Sequence, residues 1–176
     1  MIEKLFLDSV KKRFKEYKGL GEKTFDQLND DEMHFQPNEE SNSIAIIIQH
    51  LNGNMTSRWS HFLSEDGEKE WRNRDDEFET HQFTKKQLME KWNEGWKVCM
   101  DSLESLTEND LSKIITIRSQ PLNVVDAINR QLAHYGYHVG QIVYLGRWIR
   151  QADWKSLTIP KNKSNEYNQQ MQQSRR

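Results

Sequence analysis

The spacing of apolar side chains along the chain predicts four long helices. Over residues 2–28 the apolar positions recur at steps of three and four, the period of an α-helix, when Gly21 occupies one position of the stripe. Because glycine has no side chain, Gly21 predicts a kink or a close contact with another helix. A second stripe follows Ser43, a suitable N-cap residue, and runs to about residue 64.

The other two helices lie in the second half of the chain. Thr84 and Gln87 have the spacing of a capping box, and a third stripe continues from there to about residue 106. The longest apolar helix is predicted over residues 121–150, with Pro121 at its first turn. Between them, the β-branched segment 113–118 predicts one extended segment or half of a small hairpin.

Polar segments separate the predicted helices. Residues 29–42 form a connection with room for one helical turn. In residues 65–79, 11 of 15 residues are charged, which predicts a solvated loop that Trp71 and Phe78 pin to the helices. We expect the polar tail, residues 161–176, to be extended or disordered. The predicted fold is therefore all-α: one four-helix bundle over residues 1–160, with the long second connection serving as a crossover.

Composition narrows the class of protein. The chain of 176 residues has only 8 glycines and 3 prolines, which agrees with long helices, and its one cysteine, Cys99, excludes an internal disulfide framework. A net charge of -2 argues against a nucleic-acid partner. No apolar run reaches membrane-spanning length and no signal peptide is recognisable, so we expect a cytoplasmic protein with no membrane partner.

Three of the six histidines have positions that suit a metal site. His134 and His138 are four residues apart on one helix, so their rings project from the same face and can chelate one ion. His50 lies beside the apolar stripe of the second helix and joins them if the two helices are neighbours. Three imidazoles suit Zn²⁺ or Ni²⁺ and leave a coordination position open for water or substrate.

Plainer interpretations of these residues stand beside the metal site. A histidine pair at this spacing is more often two partly buried or surface residues, and no glutamate follows the first histidine as in zinc proteases. Asn54 and Arg130 lie one turn from the histidines and are candidates to orient a ligand or a substrate carboxylate, although ordinary polar groups are the favoured alternative. The remaining histidines, His34, His61 and His81, are expected to be surface residues, and Cys99 a core residue. For the tryptophans of the helical stripes, packing in the core or at an interface is favoured over stacking on a cofactor: Trp59, Trp92, Trp96, Trp148.

Three segments resemble the DinB-like superfamily of four-helix proteins, in a branch described as a domain of unknown function. They read NSIAIIIQHLNGNMTSRW (42–59), DGEKEWRNRDDEF (66–78) and PLNVVDAINRQLAHYGYHVGQIVYLGRW (121–148). The resemblance extends to about Met171. It implies an up-down-down-up bundle, often a homodimer, with a divalent metal ion held by three histidines that correspond to His50, His134 and His138.

The resemblance leaves several functions open. Relatives include bacillithiol or mycothiol S-transferases and a glutathione-dependent isomerase, so one hypothesis is a metal-dependent transferase that joins a small-molecule thiol to an electrophile. A second is a metal-dependent hydrolase, weakened by the lack of Asp or Glu one or three residues after either histidine of the pair. A third is a non-catalytic, dimeric bundle whose histidines bind metal or are structural.

Overall fold

The four long helices that the apolar stripes predict are all present in a computed structural model, which describes residues 1–173. The structure is mostly helical, with one small two-stranded sheet. Its elements, in chain order, are α1 Ile2–Phe25, α2 Asp30–Met33, α3 Ile44–Trp59, α4 Lys85–Ser105, β1 Ile114–Ile117, β2 Gln120–Asn123, α5 Val124–Arg150 and α6 Ser164–Gln173. Within the described part of the chain, no helix is both long and apolar enough to cross a membrane.

Side-chain caps set where the helices begin. The Ser43 hydroxyl accepts a hydrogen bond from the backbone N–H of Ile46, and Thr84 forms a capping box with Gln87, so both predicted N-termini are confirmed. The short α2 is the helical turn for which the first connection had room. The prediction that Pro121 opens the last helix is wrong, because Pro121 lies in β2 and Asn123 caps α5 instead.

The long helices enclose one apolar core. Helix α3 packs mainly on α4 and α1 packs mainly on α5, while α1 also contacts α4 and α3 also contacts α5. Gly21 is the close helix contact that the sequence predicts, because a Cβ atom there would lie 2.5 Å from Cζ2 of Trp92 on α4. Aromatic rings from all four helices meet edge to face at the centre of the core: Phe14, Trp59, Trp96, Tyr135.

The extended segment before α5 is one strand of a hairpin. Strands β1 and β2 are antiparallel, and Arg118 and Ser119 join them in the left-handed conformation, with φ of 55° and 61°. The Asp66 carboxylate accepts hydrogen bonds from the backbone N–H groups of both turn residues, at 2.8 and 2.7 Å. Residues 65–79, the charged loop, are therefore attached to this hairpin.

Three predictions about boundaries and connections are corrected. Helices α1 and α3 end earlier than predicted, at Phe25 and Trp59, since apolar spacing persists beyond the point where the backbone turns. The loop 65–79 is solvated only in part, because Glu77 is 9% exposed and the ring of Phe78 packs on the ring of His50. Trp71 is 61% exposed and does not pin the loop to the helices.

The tail differs from its prediction as well. Residues 164–173 form helix α6, and every described side chain of that helix is exposed, so the prediction of an extended or disordered tail is wrong there. Its polar composition forbids burial but does not forbid a helix. The last three residues of the predicted tail, 174–176, lie outside the described residues.

Candidate metal centre

The three histidines singled out by their spacing converge at the contact between α3 and α5. Nε2 of His134 lies 3.2 Å from Nε2 of His50 and 3.1 Å from Nε2 of His138, and one ring nitrogen from each residue lies within 4.8 Å of the other two. The predicted convergence is confirmed. Three nitrogen ligands on one divalent ion stand about 3.0 to 3.4 Å apart when the bonds are about 2.1 Å, so the two distances from His134 fit a single ion.

The outer nitrogens of two rings fix the protonation of the cluster. Nδ1 of His50 lies 2.9 Å from a carboxylate oxygen of Glu77, and Nδ1 of His138 lies 2.8 Å from Oε1 of Gln141. Both partners are acceptors, so each Nδ1 carries a proton, and in the neutral form of each ring Nε2 presents a lone pair. Both lone pairs point at Nε2 of His134, which as a neutral ring has at most one proton to donate. A cation satisfies all three nitrogens at once.

Burial keeps two of the three rings, those of His134 and His138, neutral, as metal ligands must be. Desolvation, reinforced by the neighbouring imidazoles, lowers the pKa of His134 to about 3. Desolvation also lowers the pKa of His138 to about 4, against the opposing effect of its hydrogen bond to Gln141. At neutral pH neither ring needs to lose a proton before it binds a cation.

A buried carboxylate behind His50 comes from the charged loop. Glu77 accepts hydrogen bonds from Nε and Nη2 of Arg72, at 2.7 and 2.8 Å, in addition to the one from His50. Burial raises the pKa of Glu77, but the hydrogen bonds from Arg72 and His50 outweigh it, so the pKa lies below its usual value and the group is ionised. Helix α3 makes room at Gly53, where a Cβ atom would lie 2.6 Å from Cδ of Glu77.

A cavity of about 400 Å³ opens beside the three rings. The two candidate orienting residues from the sequence, Asn54 and Arg130, both line it. The orientation of Asn54 is fixed, because the hydroxyl of Tyr135 donates to its Oδ1 at 3.0 Å while accepting from Nε1 of Trp59 at 2.9 Å. The amide N–H groups of Asn54 are thus the donors left for a ligand.

The other histidines and the cysteine occupy ordinary positions. His34 is half-buried rather than a surface residue as predicted, because its Nε2 lies 2.7 Å from the carbonyl oxygen of Phe83. His61 is exposed, and His81 lies 3.3 Å from a carboxylate oxygen of Asp76. Cys99 is fully buried, as predicted, and burial raises the pKa of its thiol well above the usual value. Cys99 is therefore a residue of the packed core.

Sequence reasoning missed the groups that hold the histidines. Gln141 follows His138 by three residues on the same helix, a spacing that brings side chains together and was available as a signal. Glu77 and Arg72 gave no such signal, because they are two of many charged residues in a loop without periodicity.

These features define a mostly helical protein with a buried three-histidine cluster beside a small cavity. Residues 1–163 match the family model described as "Protein of unknown function (DUF1572)", so the chain belongs to that family. A comparison with curated proteins finds no match.

Proposed function

We propose that this protein is a divalent-metal-dependent enzyme that transfers a low-molecular-weight thiol to an electrophile. The observation that carries the proposal is the convergence of three Nε2 atoms, two of which belong to rings whose Nδ1 atoms face a hydrogen-bond acceptor. His50, His134 and His138 would hold the ion, and Zn²⁺ and Ni²⁺ are the ions that such a neutral imidazole set suits. When bound, the ion would lower the pKa of a coordinated thiol and supply a thiolate at neutral pH.

The protein's own residues would hold the reacting groups in place. Glu77 fixes the ring of His50 and is itself fixed by Arg72, so this ligand cannot rotate away from the site. In the transfer, the thiol sulfur forms a bond to the electrophilic carbon as the bond from that carbon to its leaving group breaks. The thiol proton passes to solvent and the leaving group departs as an anion.

The composition of the cavity favours a thiol over water as the nucleophile. Of the described residues that line it, none is Asp or Glu, and the nearby Glu77 is already bonded to His50 and Arg72. Hydrolysis would need a general base near the attacking water, whereas a thiol needs only to lose its proton. Since Cys99 is buried and protonated, the thiol must come from a second molecule.

Turnover with simple probes tests this proposal. The purified protein, supplied with Zn²⁺ or Ni²⁺, would be incubated with chlorodinitrobenzene and one thiol at a time: cysteine, glutathione or bacillithiol. The account predicts formation of the thioether above the uncatalysed rate with at least one thiol, and loss of that rate in His50→Ala. A rate that His50→Ala retains, or no catalysed rate with any thiol or metal, contradicts it.

The arrangement of the helices and the assembly are part of the proposal. We infer an up-down-down-up bundle of the DinB-like type from the resemblance of the sequence, and the neighbours that each long helix contacts agree with it. We also propose a homodimer, supported by large aromatic side chains that α5 leaves exposed: Tyr137, Tyr144, Trp148. Light scattering at micromolar concentration tests it, and a monomeric mass contradicts it.

A further inference from the structure

The cavity beside the histidines is strongly positive, although the chain as a whole has a net charge of -2. The arginines that line it come from α3, the charged loop, the hairpin turn and α5: Arg58, Arg72, Arg74, Arg118, Arg130. Segments far apart in sequence thus bring one kind of charge to one place. Such a concentration of guanidinium groups is costly unless something negative offsets it.

Two carboxylates offset part of this charge. Arg72 is paired with Glu77, and Glu68 accepts from both Arg58, at 3.0 Å, and Arg118, at 2.9 Å. Five guanidinium groups and two carboxylates leave this group of seven side chains with a net charge of +3.

Two of the five arginines are held by no carboxylate. Arg74 lies over the ring of Phe78, 5.2 Å from its centre, and Arg130 projects from α5 one turn before His134. Neither forms an ion pair with any residue in the part of the chain that the structure describes. Both side chains are exposed at the cavity, so their charge and their hydrogen-bond donors are available to a molecule that enters it.

Amide groups in the same wall add polar contacts. The oriented Asn54 has N–H groups left to donate. Gln131 is 3% exposed, lines the cavity, and its Oε1 has no hydrogen-bond partner among the described residues. A buried amide oxygen without a donor is uncommon in a folded protein and indicates that a bound molecule supplies an N–H or O–H group there, from a part of the ligand other than its anionic group.

We propose that the cavity is an anion-binding site and that the substrate, or the thiol, of the proposed reaction carries a carboxylate or phosphate group held by Arg74 and Arg130. The assignment to a substrate rests on the proposed function, while the anion site itself does not. A volume of about 400 Å³ limits the ligand to a small molecule. The reacting sulfur or carbon would lie at the histidines, and the anionic group would lie at the arginines.

Calorimetric titration of the full chain tests the anion site. The probes are inorganic phosphate and succinate, with uncharged succinamide as the control ligand. Each is titrated into the protein as purified and after chelator treatment. Arg74→Gln and Arg130→Gln are compared with Arg147→Gln, an exposed arginine of α5 that does not line the cavity. Circular dichroism confirms that each variant is folded.

The expected result is saturable binding of at least one anion that weakens about tenfold or more in Arg74→Gln or Arg130→Gln, the loss typical of one charge-assisted hydrogen bond. Arg147→Gln should bind as the wild type does. Tighter binding of phosphate indicates a phosphate ester as the ligand, and tighter binding of succinate indicates a carboxylate. Absence of binding, equal binding of succinamide, or unchanged affinity in both cavity variants overturns the inference.

Metal content measured on the same samples separates this inference from the proposed function. Loss of anion binding in Arg74→Gln and Arg130→Gln with metal content unchanged supports the anion site. Anion binding by a wild-type protein that takes up no metal leaves the anion site standing and removes the metal-dependent function. A protein that takes up metal but binds no anion removes the anion site and leaves the metal-dependent function standing.

Discussion

His50 and Glu77, from a helix and a charged loop, are joined by a hydrogen bond of 2.9 Å between Nδ1 and a carboxylate oxygen. Arg72 donates two further hydrogen bonds to the same carboxylate. This chain of three side chains places a proton on Nδ1 of His50 and leaves Nε2 free to bind a cation. The loop is therefore part of the site rather than a connection that passes it.

The first prediction concerns this hydrogen bond. Glu77→Gln leaves His50 without its ionised partner, and metal affinity should fall about 10- to 100-fold, the usual cost of losing the carboxylate behind a histidine ligand. Competition with a chromophoric chelator measures it. The matched control is Glu79→Gln, an exposed glutamate two residues away. Equal affinities for wild type and Glu77→Gln contradict the role assigned to Glu77.

The second prediction concerns Gly53. In Gly53→Ala the new methyl group would overlap Glu77, whose carboxylate Arg72 holds in place. We expect a loss of about 1 to 3 kcal/mol in the free energy of unfolding, together with weaker metal binding. In the control Gly140→Ala the methyl group meets open space, and alanine should leave stability unchanged or raise it by up to about 1 kcal/mol. Urea denaturation distinguishes them, and equal stability of the two variants is the contrary result.

The third prediction is a pH dependence. Desolvation raises the pKa of Asp66, but hydrogen bonds from the backbone N–H groups of Glu68, Ser119 and Arg118 and from the Thr116 hydroxyl outweigh it and lower the pKa to about 2. A pKa below the unfolded value of 3.8 means that Asp66 contributes stability above pH 3.8, which is lost as the pH falls towards 2.

The variant Asp66→Asn isolates this contribution. It should be less stable than the wild type at pH 6, and the difference in unfolding free energy should shrink as the pH falls from about 4 to about 2. Urea titrations at each pH measure that difference. A difference that stays constant over this range means that the Asp66 carboxylate has the same pKa in the folded and unfolded chains.

The fourth prediction concerns the buried hydroxyl of Tyr135. Tyr135→Phe removes the acceptor of the indole N–H of Trp59 and the donor to Asn54, so buried polar groups lose their partners. The cost should be about 1 to 3 kcal/mol in the free energy of unfolding. Tyr144→Phe is the control, because Tyr144 is 65% exposed and should cost almost nothing. Thermal denaturation of both variants measures the difference, and equal melting temperatures would contradict the prediction.

The sequence predicts the helices and the histidine cluster for one reason: both depend on regular spacing. Apolar residues at steps of three and four define α1, α3, α4 and α5, and a step of four places His134 and His138 on one face. The end of a helix depends instead on the backbone conformation of one or two residues, which has no periodic signal in the sequence. Pro121 fits either the first turn of a helix or an edge strand, and pairing with Thr116 decides for the strand.

The supporting groups could not be found in this way, because their positions depend on the path of a loop. Eleven charged residues in residues 65–79 look alike in the sequence. The attachment of Asp66 to the hairpin and the space above Gly53 place Glu77, rather than another charged residue of the loop, against His50. For the tail, the polar composition correctly predicts that the side chains are exposed, but it does not predict the helix that residues 164–173 form.

Elemental mass spectrometry of the purified protein decides whether His50, His134 and His138 hold one divalent ion. After incubation with Zn²⁺ or Ni²⁺ and removal of unbound ions, the account predicts about one ion per wild-type chain. It predicts none in His50→Ala and the wild-type amount in the control His61→Ala, whose histidine is exposed and apart from the cluster. A wild-type protein without a stoichiometric ion, or His50→Ala with its full complement, contradicts the account.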